Sequence, residues 1–281
     1  MGILDLIRQR IREDIDADIK ELEKVRGSVV LCLYSSIDRS IIDWANEVCQ
    51  SEKKKKVQTE KLDVIINSGG GDIDAAYHLA KIFDEIPKKE LNYIVPRYAK
   101  SAATLLACGG DNIFMGETSE LGPLDPQIIR PDGSRFSALA VKQALKLLKD
   151  EFKDDNLETA TIMTHKLNPI DLGEIDRTIG ISKKYLSELL NMRMFKGKKG
   201  SGRKIQKIAE VLASGYTHHS YLIDAKEAKE KLGLVVKRPK DQEADIIKRI
   251  NIRHNQVAEI DGIANQLQEY QILKKFTKRR M

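Results

Sequence analysis

One serine and one run of glycines in this 281-residue sequence stand where a nucleophile and anion-stabilising N–H groups would be useful. Gly69 to Gly71 follow the apolar run 62–67 and precede a helical pattern, so their backbone N–H groups can approach a ligand closely. Ser101 comes shortly after a second apolar run, 91–96, and is followed by small residues. A hydroxyl and free N–H groups, each at a helix start, are the components that acyl transfer needs.

Other interpretations of both features stay open at this point. A glycine loop between a strand and a helix can hold a phosphate, but Gly-Lys-Ser/Thr and the G-x-G-x-x-G spacing are both absent, so nucleotide binding is poorly supported. The loop can equally be a tight turn without a ligand. A serine at the start of a helix is more often an N-cap than a nucleophile.

Alternating strands and helices are predicted to position these loops. The predicted strands are residues 28–34, 62–67, 91–96 and 112–116, and the predicted helices between them are residues 38–49, 73–86 and 101–109. Asp72 is the predicted N-cap of the helix over 73–86, and residues 119–129 are predicted to be extended. This alternation predicts parallel βαβ units. Because the carboxyl ends of parallel strands meet at one edge of a sheet, we expect the glycine loop and Ser101 to lie near each other.

The second half of the chain has helical periodicity almost throughout, including a predicted helix over residues 157–167. Residues 3–24 also form an amphipathic pattern, and residues 243–274 form a helical pattern with a basic end. We predict three segments: an amphipathic N-terminal helix (residues 1–26), a catalytic domain (residues 27–239) and a basic helical tail (residues 240–281). The two terminal helices are candidates for subunit assembly.

Composition excludes several classes of protein. No run of about 18 apolar residues is present, so a membrane span is not expected. Acidic residues interrupt the first 20 positions, which does not fit a signal peptide. The three cysteines have unrelated spacings, so we expect reduced thiols and no metal site. Lysine clusters give a net charge of +6, but aromatic residues make up only 5%, and nucleic acid is not expected as a partner.

Three segments carry a resemblance to a known family. Residues 67–72 (Asn-Ser-Gly-Gly-Gly-Asp) look like the glycine loop of Clp-type serine peptidases, and residues 98–103 occupy the place of their nucleophile. Residues 121–127 (Leu-Gly-Pro-Leu-Asp-Pro-Gln) are similar to the serine dehydrogenase proteinase family, which is related to signal-peptide peptidase A within the ClpP/crotonase fold. The resemblance covers roughly residues 28–236 and implies a serine peptidase.

The resemblance also implies roles for individual residues. Ser101 would be the nucleophile, and the backbone N–H groups of Gly70 and Ala102 would form the oxyanion hole. A histidine base of the ClpP type is missing, because Leu-Asp-Pro stands at its place. Relatives of signal-peptide peptidase A use a lysine, and Lys166 lies in a segment similar to the loop that carries their base.

The alternative bases and orienting residues stay open. Lys142 and Lys146 lie on the helix that follows residues 121–127, His165 precedes the favoured lysine, and His219 is near the place of the triad aspartate in ClpP. One further departure is Ala103, where the family usually has a glycine.

The sequence therefore predicts an α/β protein, a ClpP/crotonase-like spiral of βαβ units with a helical second half. It predicts a cytoplasmic serine endopeptidase with a Ser-Lys dyad, a polypeptide substrate, a homo-oligomeric state and no cofactor. Two alternatives differ in class. One is a non-catalytic scaffold or binding protein of the same fold. The other is a crotonase-type acyl-CoA enzyme that uses the glycine loop without a nucleophilic serine.

Overall fold

A computed structural model of the chain describes residues 3–55, 59–124, 127–129, 135–153, 169–216, 218 and 220–278. It divides into two compact units. One is Leu31–Arg238, and the other joins Met1–Val30 with Pro239–Met281. The predicted division into three segments, at residues 26 and 239, stays a prediction.

A five-stranded sheet forms the centre of the larger unit. Its strands, in spatial order, are β1 (Val29–Leu33), β2 (Lys61–Ile66), β3 (Glu90–Val95), β5 (Asn112–Met115) and β9 (Val236–Lys237). Neighbouring strands from β2 to β9 pair in parallel. The α/β class and the parallel βαβ units predicted from the alternation are confirmed.

Helices connect and cover these strands. The helices of the larger unit are α2 (Ser40–Lys53), α3 (Ile73–Asp84), α4 (Ala102–Ala107), α5 (Ala138–Lys153), α6 (Pro169–Met192), α7 (Ser201–Glu210) and α8 (Ala225–Glu230), with a π-helical turn at Val211–Gly215. Every residue of α4 is buried, because its sequence contains only small and apolar residues and one threonine. The helix that follows Ser101 is therefore part of the core. The predicted helix over residues 157–167 lies outside the described residues.

Two short two-stranded sheets complete the larger unit. One pairs β4 (Tyr98–Ala99) with β6 (Glu120–Leu121) in parallel. The other pairs β7 (Gln127–Ile129) with β8 (Arg135–Ser137) in antiparallel fashion. The segment that the sequence predicts as extended, residues 119–129, thus contributes to both.

A buried ladder of polar side chains crosses the central sheet. Asp63, Asn92 and Asn112 occupy paired positions on β2, β3 and β5. The Asn92 amide donates to Asp63 Oδ1 at 2.8 Å, and the Asn112 amide donates to Asn92 Oδ1 at 2.7 Å. Because an unpaired buried polar group costs free energy, this ladder favours one strand register over any shifted pairing.

The smaller unit is an antiparallel pair of long helices, α1 (Ile3–Arg26) and α9 (Asp241–Lys278). Ion pairs fix the register: Arg26 Nη1 lies 3.0 Å from Glu243 Oε2 near the start of α9, and Arg8 Nη2 lies 2.7 Å from Asp261 Oδ1 farther along it. Both segments are predicted as helices from their periodicity. The pairing between them was not predicted.

Candidate active site

The glycine loop begins where β2 ends and leads into α3. Asp72 caps this helix, since its side chain accepts hydrogen bonds from the N–H groups of Asp74 and Ala75, as the sequence predicts. Gly71 has a φ angle of +147°, and a Cβ atom there would lie 2.0 Å from the carbonyl oxygen of Ile37. A glycine is required because two backbone segments meet at this point.

Ser101 opens α4 with a backbone conformation that L-residues rarely adopt. Its φ angle is 49° and its ψ angle is −120°, and no other described non-glycine residue has a positive φ. The Ser101 side chain makes no capping hydrogen bond to the helix. The interpretation of this serine as a side-chain N-cap is therefore not supported.

The glycine loop and Ser101 lie in direct contact, as the parallel topology predicts. A Cβ atom on Gly70 would lie 2.9 Å from Ser101 Cβ and 3.1 Å from the backbone nitrogen of Ala102. Among the described residues, the N–H groups of Gly71 and Ala102 have no hydrogen-bond partner. The N–H group of Gly70 donates to Ser68 Oγ at 3.1 Å. The site thus combines a hydroxyl with unpaired backbone donors.

A short parallel ladder holds the glycine loop against the segment that contains Ser101. The Ser68 N–H group donates to the Tyr98 carbonyl at 3.1 Å, and the Lys100 N–H group donates to the Ser68 carbonyl at 3.0 Å. On the other side, Gly122 N–H donates to the Ala99 carbonyl at 3.1 Å. Main-chain hydrogen bonds thus join the segment around Ala99 to Ser68 on one side and to Gly122 on the other.

The buried hydroxyl of Thr104 strengthens this arrangement. Its Oγ1 lies 2.7 Å from the Ala99 carbonyl oxygen and 2.8 Å from the Gly122 carbonyl oxygen, and it accepts a hydrogen bond from the Gly122 N–H group at 3.2 Å. The first turn of α4 is therefore tied to β4 and to the segment after β6. Sequence reasoning missed this residue, because a threonine inside an apolar helix has no distinctive spacing.

Lys100 is adjacent to Ser101 but is directed elsewhere. Its Nζ atom donates to the Leu121 carbonyl at 3.2 Å and lies 3.5 Å from Glu120 Oε2. The side chain crosses Gly122, where a Cβ atom would lie 2.5 Å from Lys100 Cδ. These contacts give the amine a structural role.

An open cleft of about 910 Å³ lies beside Ser101. Its described lining consists of residues 34–38 after β1, residues 67–73 around the glycine loop, and four residues of other elements: Tyr98, Ser101, Leu124 and Thr178. Burial raises the pKa of the Tyr34 hydroxyl well above its usual range, so this residue lines the cleft as a neutral phenol. The residues that follow β1 were missed as a cleft wall, although the parallel topology places the end of β1 at the same sheet edge.

Several predicted site residues have no described environment. Lys166, His165 and His219 lie outside the described residues, and the side chain of Lys142 is not described. Lys146 is exposed on α5. The structure therefore brings together Ser101, Gly70 and Ala102, while the identity of the base stays a prediction.

The sequence model of the ClpP-like SDH-type serine proteinases matches residues 19–248. The chain belongs to this family. The membership predicted from the glycine loop and the Leu-Gly-Pro-Leu-Asp-Pro-Gln segment is confirmed, and with it the ClpP-like fold and the class of serine peptidases. The match begins within α1 and ends within α9, so it extends beyond the limits of the resemblance drawn from the sequence.

Two relatives of this chain are uncharacterized proteins of Methanocaldococcus jannaschii. MJ0137 is 34% identical over 176 residues, which are 62% of this chain and 53% of that protein. MJ1495 is 28% identical over 242 residues, which are 82% of this chain and 74% of that protein. The chain thus spans about half the length of the first relative and about three quarters of the second.

Solved structures of similar shape include two proteases. The 1510-N membrane-bound stomatin-specific protease in complex with a substrate peptide has a TM-score of 0.47 at 17% identity, covering 75% of this chain and 74% of that chain. ClpP1 from Listeria monocytogenes has a TM-score of 0.43 at 13% identity, covering 83% of this chain and 98% of that chain. Among the described residues of this family member, no helix is both long and apolar enough to cross a bilayer.

Proposed function

We propose that this chain is a serine endopeptidase with Ser101 as its nucleophile. The observation that carries the proposal is the backbone of Ser101, which has a φ angle of 49° at the start of a buried helix and a side chain that does not cap it. Strain of this kind costs about 1–3 kcal/mol and persists where a function requires it. Membership of a serine proteinase family supports the same assignment.

Lys166 is proposed as the general base of a Ser-Lys dyad. A neutral amine would take the proton of the Ser101 hydroxyl while Oγ bonds to the peptide carbonyl carbon. The ammonium would then give this proton to the departing amine as the C–N bond breaks, and water would release the acyl group by the same route. The scheme requires an uncharged lysine before attack, which removal of an amine from water favours.

The proposed oxyanion hole consists of the Ala102 N–H group and an N–H group of the glycine loop. Gly70 is the predicted second donor, and a carbonyl oxygen bound there would replace its present hydrogen bond to Ser68 Oγ. Gly71 is adjacent to it and has an N–H group without a partner among the described residues. Each preorganised donor commonly lowers the barrier by about 3 kcal/mol.

A fluorophosphonate probe tests the nucleophile directly. The folded wild-type protein should be labelled at Ser101 and should cleave casein or peptides, and Ser101→Ala should lose both properties. No labelling of wild type, with Ser101→Ala indistinguishable from it on casein and peptides, would overturn the peptidase proposal and favour a scaffold. Binding of CoA esters that survives Ser101→Ala would favour a crotonase-type enzyme.

The base is tested by comparing lysine variants. Lys166→Ala should lower probe labelling near neutral pH by about 100- to 10,000-fold, the usual range for general-base catalysis. Lys207→Ala is the matched control, because this exposed lysine lies on α7, does not line the described part of the cleft and is not a candidate base. Full labelling of Lys166→Ala would remove Lys166 from the mechanism, and Lys142, Lys146, His165 and His219 would then be replaced in turn.

A cytoplasmic location and a homo-oligomeric state belong to the same proposal. The three cysteines are reduced thiols, which fits a reducing compartment. The oligomer is expected from the resemblance to Clp-type peptidases. Light scattering on the purified protein and fractionation of cells test these two points.

A further inference from the structure

The cleft beside Ser101 differs in charge from the chain as a whole. The chain carries a net charge of +6. In the described part of the cleft lining, however, the charged side chains are Asp38 and Asp72, and no lysine or arginine is present. A cleft lined by one sign of charge attracts ligands of the opposite sign.

The two carboxylates have different partners. Asp72 is engaged within the fold, since Oδ1 caps α3 and Oδ2 lies 3.5 Å from the exposed guanidinium of Arg39. Asp38 is exposed, and Oδ1 accepts a hydrogen bond from the Ser40 N–H group at 2.8 Å. Among the described residues, no cation lies within ion-pair distance of Asp38. This carboxylate is therefore available to a ligand.

Ser40 also keeps Asp38 charged and oriented. Its hydroxyl and its N–H group both donate to the carboxylate, and these hydrogen bonds hold the pKa of Asp38 below its usual range. The cleft wall also offers apolar surface from Tyr34 and Ile73, which are both half-buried. A long aliphatic stem can lie along such a wall while its terminal charge meets a carboxylate.

We propose that Asp38 selects a lysine or arginine side chain of the bound polypeptide, so that the substrates of this protein are basic segments of polypeptide. The inference rests on the proposed peptidase function and names the substrate class of the same cleft. It concerns recognition only. Asp38 takes no part in bond making, and it acts by binding one side chain near the scissile bond.

Internally quenched peptides test the selection. The peptides share one sequence, and each position around the scissile bond carries lysine, norleucine or glutamate in turn. At one position, wild type should show the highest kcat/KM for lysine and the lowest for glutamate. Asp38→Asn should reduce the lysine-to-glutamate ratio there about fivefold, because the attraction for lysine and the repulsion of glutamate are both lost. The norleucine peptide should be unaffected.

The two variants needed are well matched. Asparagine at position 38 keeps an oxygen that can accept from the Ser40 N–H group, so Asp38→Asn removes the charge and keeps the turn. Asp43→Asn is the control, since Asp43 is an exposed carboxylate in the first turn of α2 and does not line the cleft. The control should leave the ratio unchanged. A ratio in Asp38→Asn equal to that of wild type would overturn the inference.

Failure of this inference can be told apart from failure of the peptidase proposal. Hydrolysis and probe labelling without any preference for lysine contradict only the selection by Asp38. Absence of labelling and hydrolysis contradicts the peptidase, and selection is then measured by fluorescence anisotropy of the lysine and glutamate peptides on the Ser101→Ala protein. Tighter binding of the lysine peptide, reduced by Asp38→Asn, supports the inference, and equal binding of both peptides overturns it.

Discussion

A Cβ atom on Gly70 would lie 2.9 Å from the Cβ atom of Ser101, closer than side-chain carbons approach one another. It would also lie 2.6 Å from the carbonyl oxygen of Lys100, which is a backbone atom and cannot rotate away. Gly70 further has a φ angle of +102°. The glycine is therefore required both by its own conformation and by the position of the serine.

Gly70→Ala should consequently destabilise the protein by about 2–3 kcal/mol and lower peptidase activity by at least about 100-fold, because the new methyl group displaces Ser101 and the Ala102 N–H group. Gly69→Ala is the matched control. A Cβ atom there meets nothing within 4 Å and its φ is not positive. Denaturant unfolding and probe labelling measure both variants, and equal effects of the two substitutions would contradict this account.

The backbone conformation of Ser101 predicts that a residue other than serine would make the protein more stable while abolishing its activity. Ser101→Gly and Ser101→Ala both remove the hydroxyl, so both should lose probe labelling. Glycine adopts a φ of 49° with a ψ of −120° without strain, whereas alanine does not. Ser101→Gly should therefore be more stable than Ser101→Ala by about 1 kcal/mol in denaturant unfolding. Equal stability of the two variants would show that the turn is unstrained.

Much of this site was predictable because the chemistry lies at strand ends. The apolar runs place β2, β3 and β5 to within about two residues, and parallel pairing then brings the glycine loop to Ser101. The N-cap role of Asp72 was also predicted from its position after the glycines. In these cases the relevant information is local in sequence.

Features that depend on tertiary pairing could not be predicted in this way. The hydrogen bonds between Asp63, Asn92 and Asn112 can be predicted only if the register between the strands is known. The pattern within one strand shows which residues share a face of the sheet, but it does not show which residues of the next strand they pair with. The pairing of α1 with α9 joins positions more than 200 residues apart. Helical periodicity shows that a helix has an apolar face, but it does not show which element packs against that face. The cleft wall after β1 was overlooked because it contains no motif.

The buried thiol of Cys108 predicts how stability responds to alkaline pH. Burial raises its pKa from 9.0 to about 12. The unfolded thiol loses its proton near pH 9, while the folded thiol keeps it, so the unfolded state binds fewer protons and the free energy of unfolding falls as pH rises. The loss from this group should be about 1 kcal/mol between pH 9 and pH 10.

Cys108→Ser tests this linkage because the serine hydroxyl does not titrate in that range. The variant should start with lower stability at pH 7, but its free energy of unfolding should fall less steeply between pH 9 and pH 10. Urea unfolding at half-unit intervals gives both curves. Parallel curves for the variant and wild type would mean that the Cys108 thiol ionises equally in the folded and unfolded states.

Asp18 of α1 is a buried carboxylate that bonds to two arginines of α9. Its side chain is 7% exposed and accepts from Arg249 Nε at 2.9 Å, and a second arginine, Arg253, bonds to its other oxygen. Asp18→Asn removes the buried carboxylate that both arginines share, leaving Arg249 with Glu21 and Arg253 with Asp14 as acidic partners, and should destabilise the helix pair by about 2 kcal/mol. Glu13→Gln is the control, because Glu13 is exposed and pairs only loosely with Arg10, 3.7 Å away. It should change stability by less than about 0.5 kcal/mol. Hydrogen exchange should accelerate in α1 and α9 of Asp18→Asn and remain at the wild-type rate in Glu13→Gln; unchanged exchange in both would show that Asp18 does not hold the two helices together.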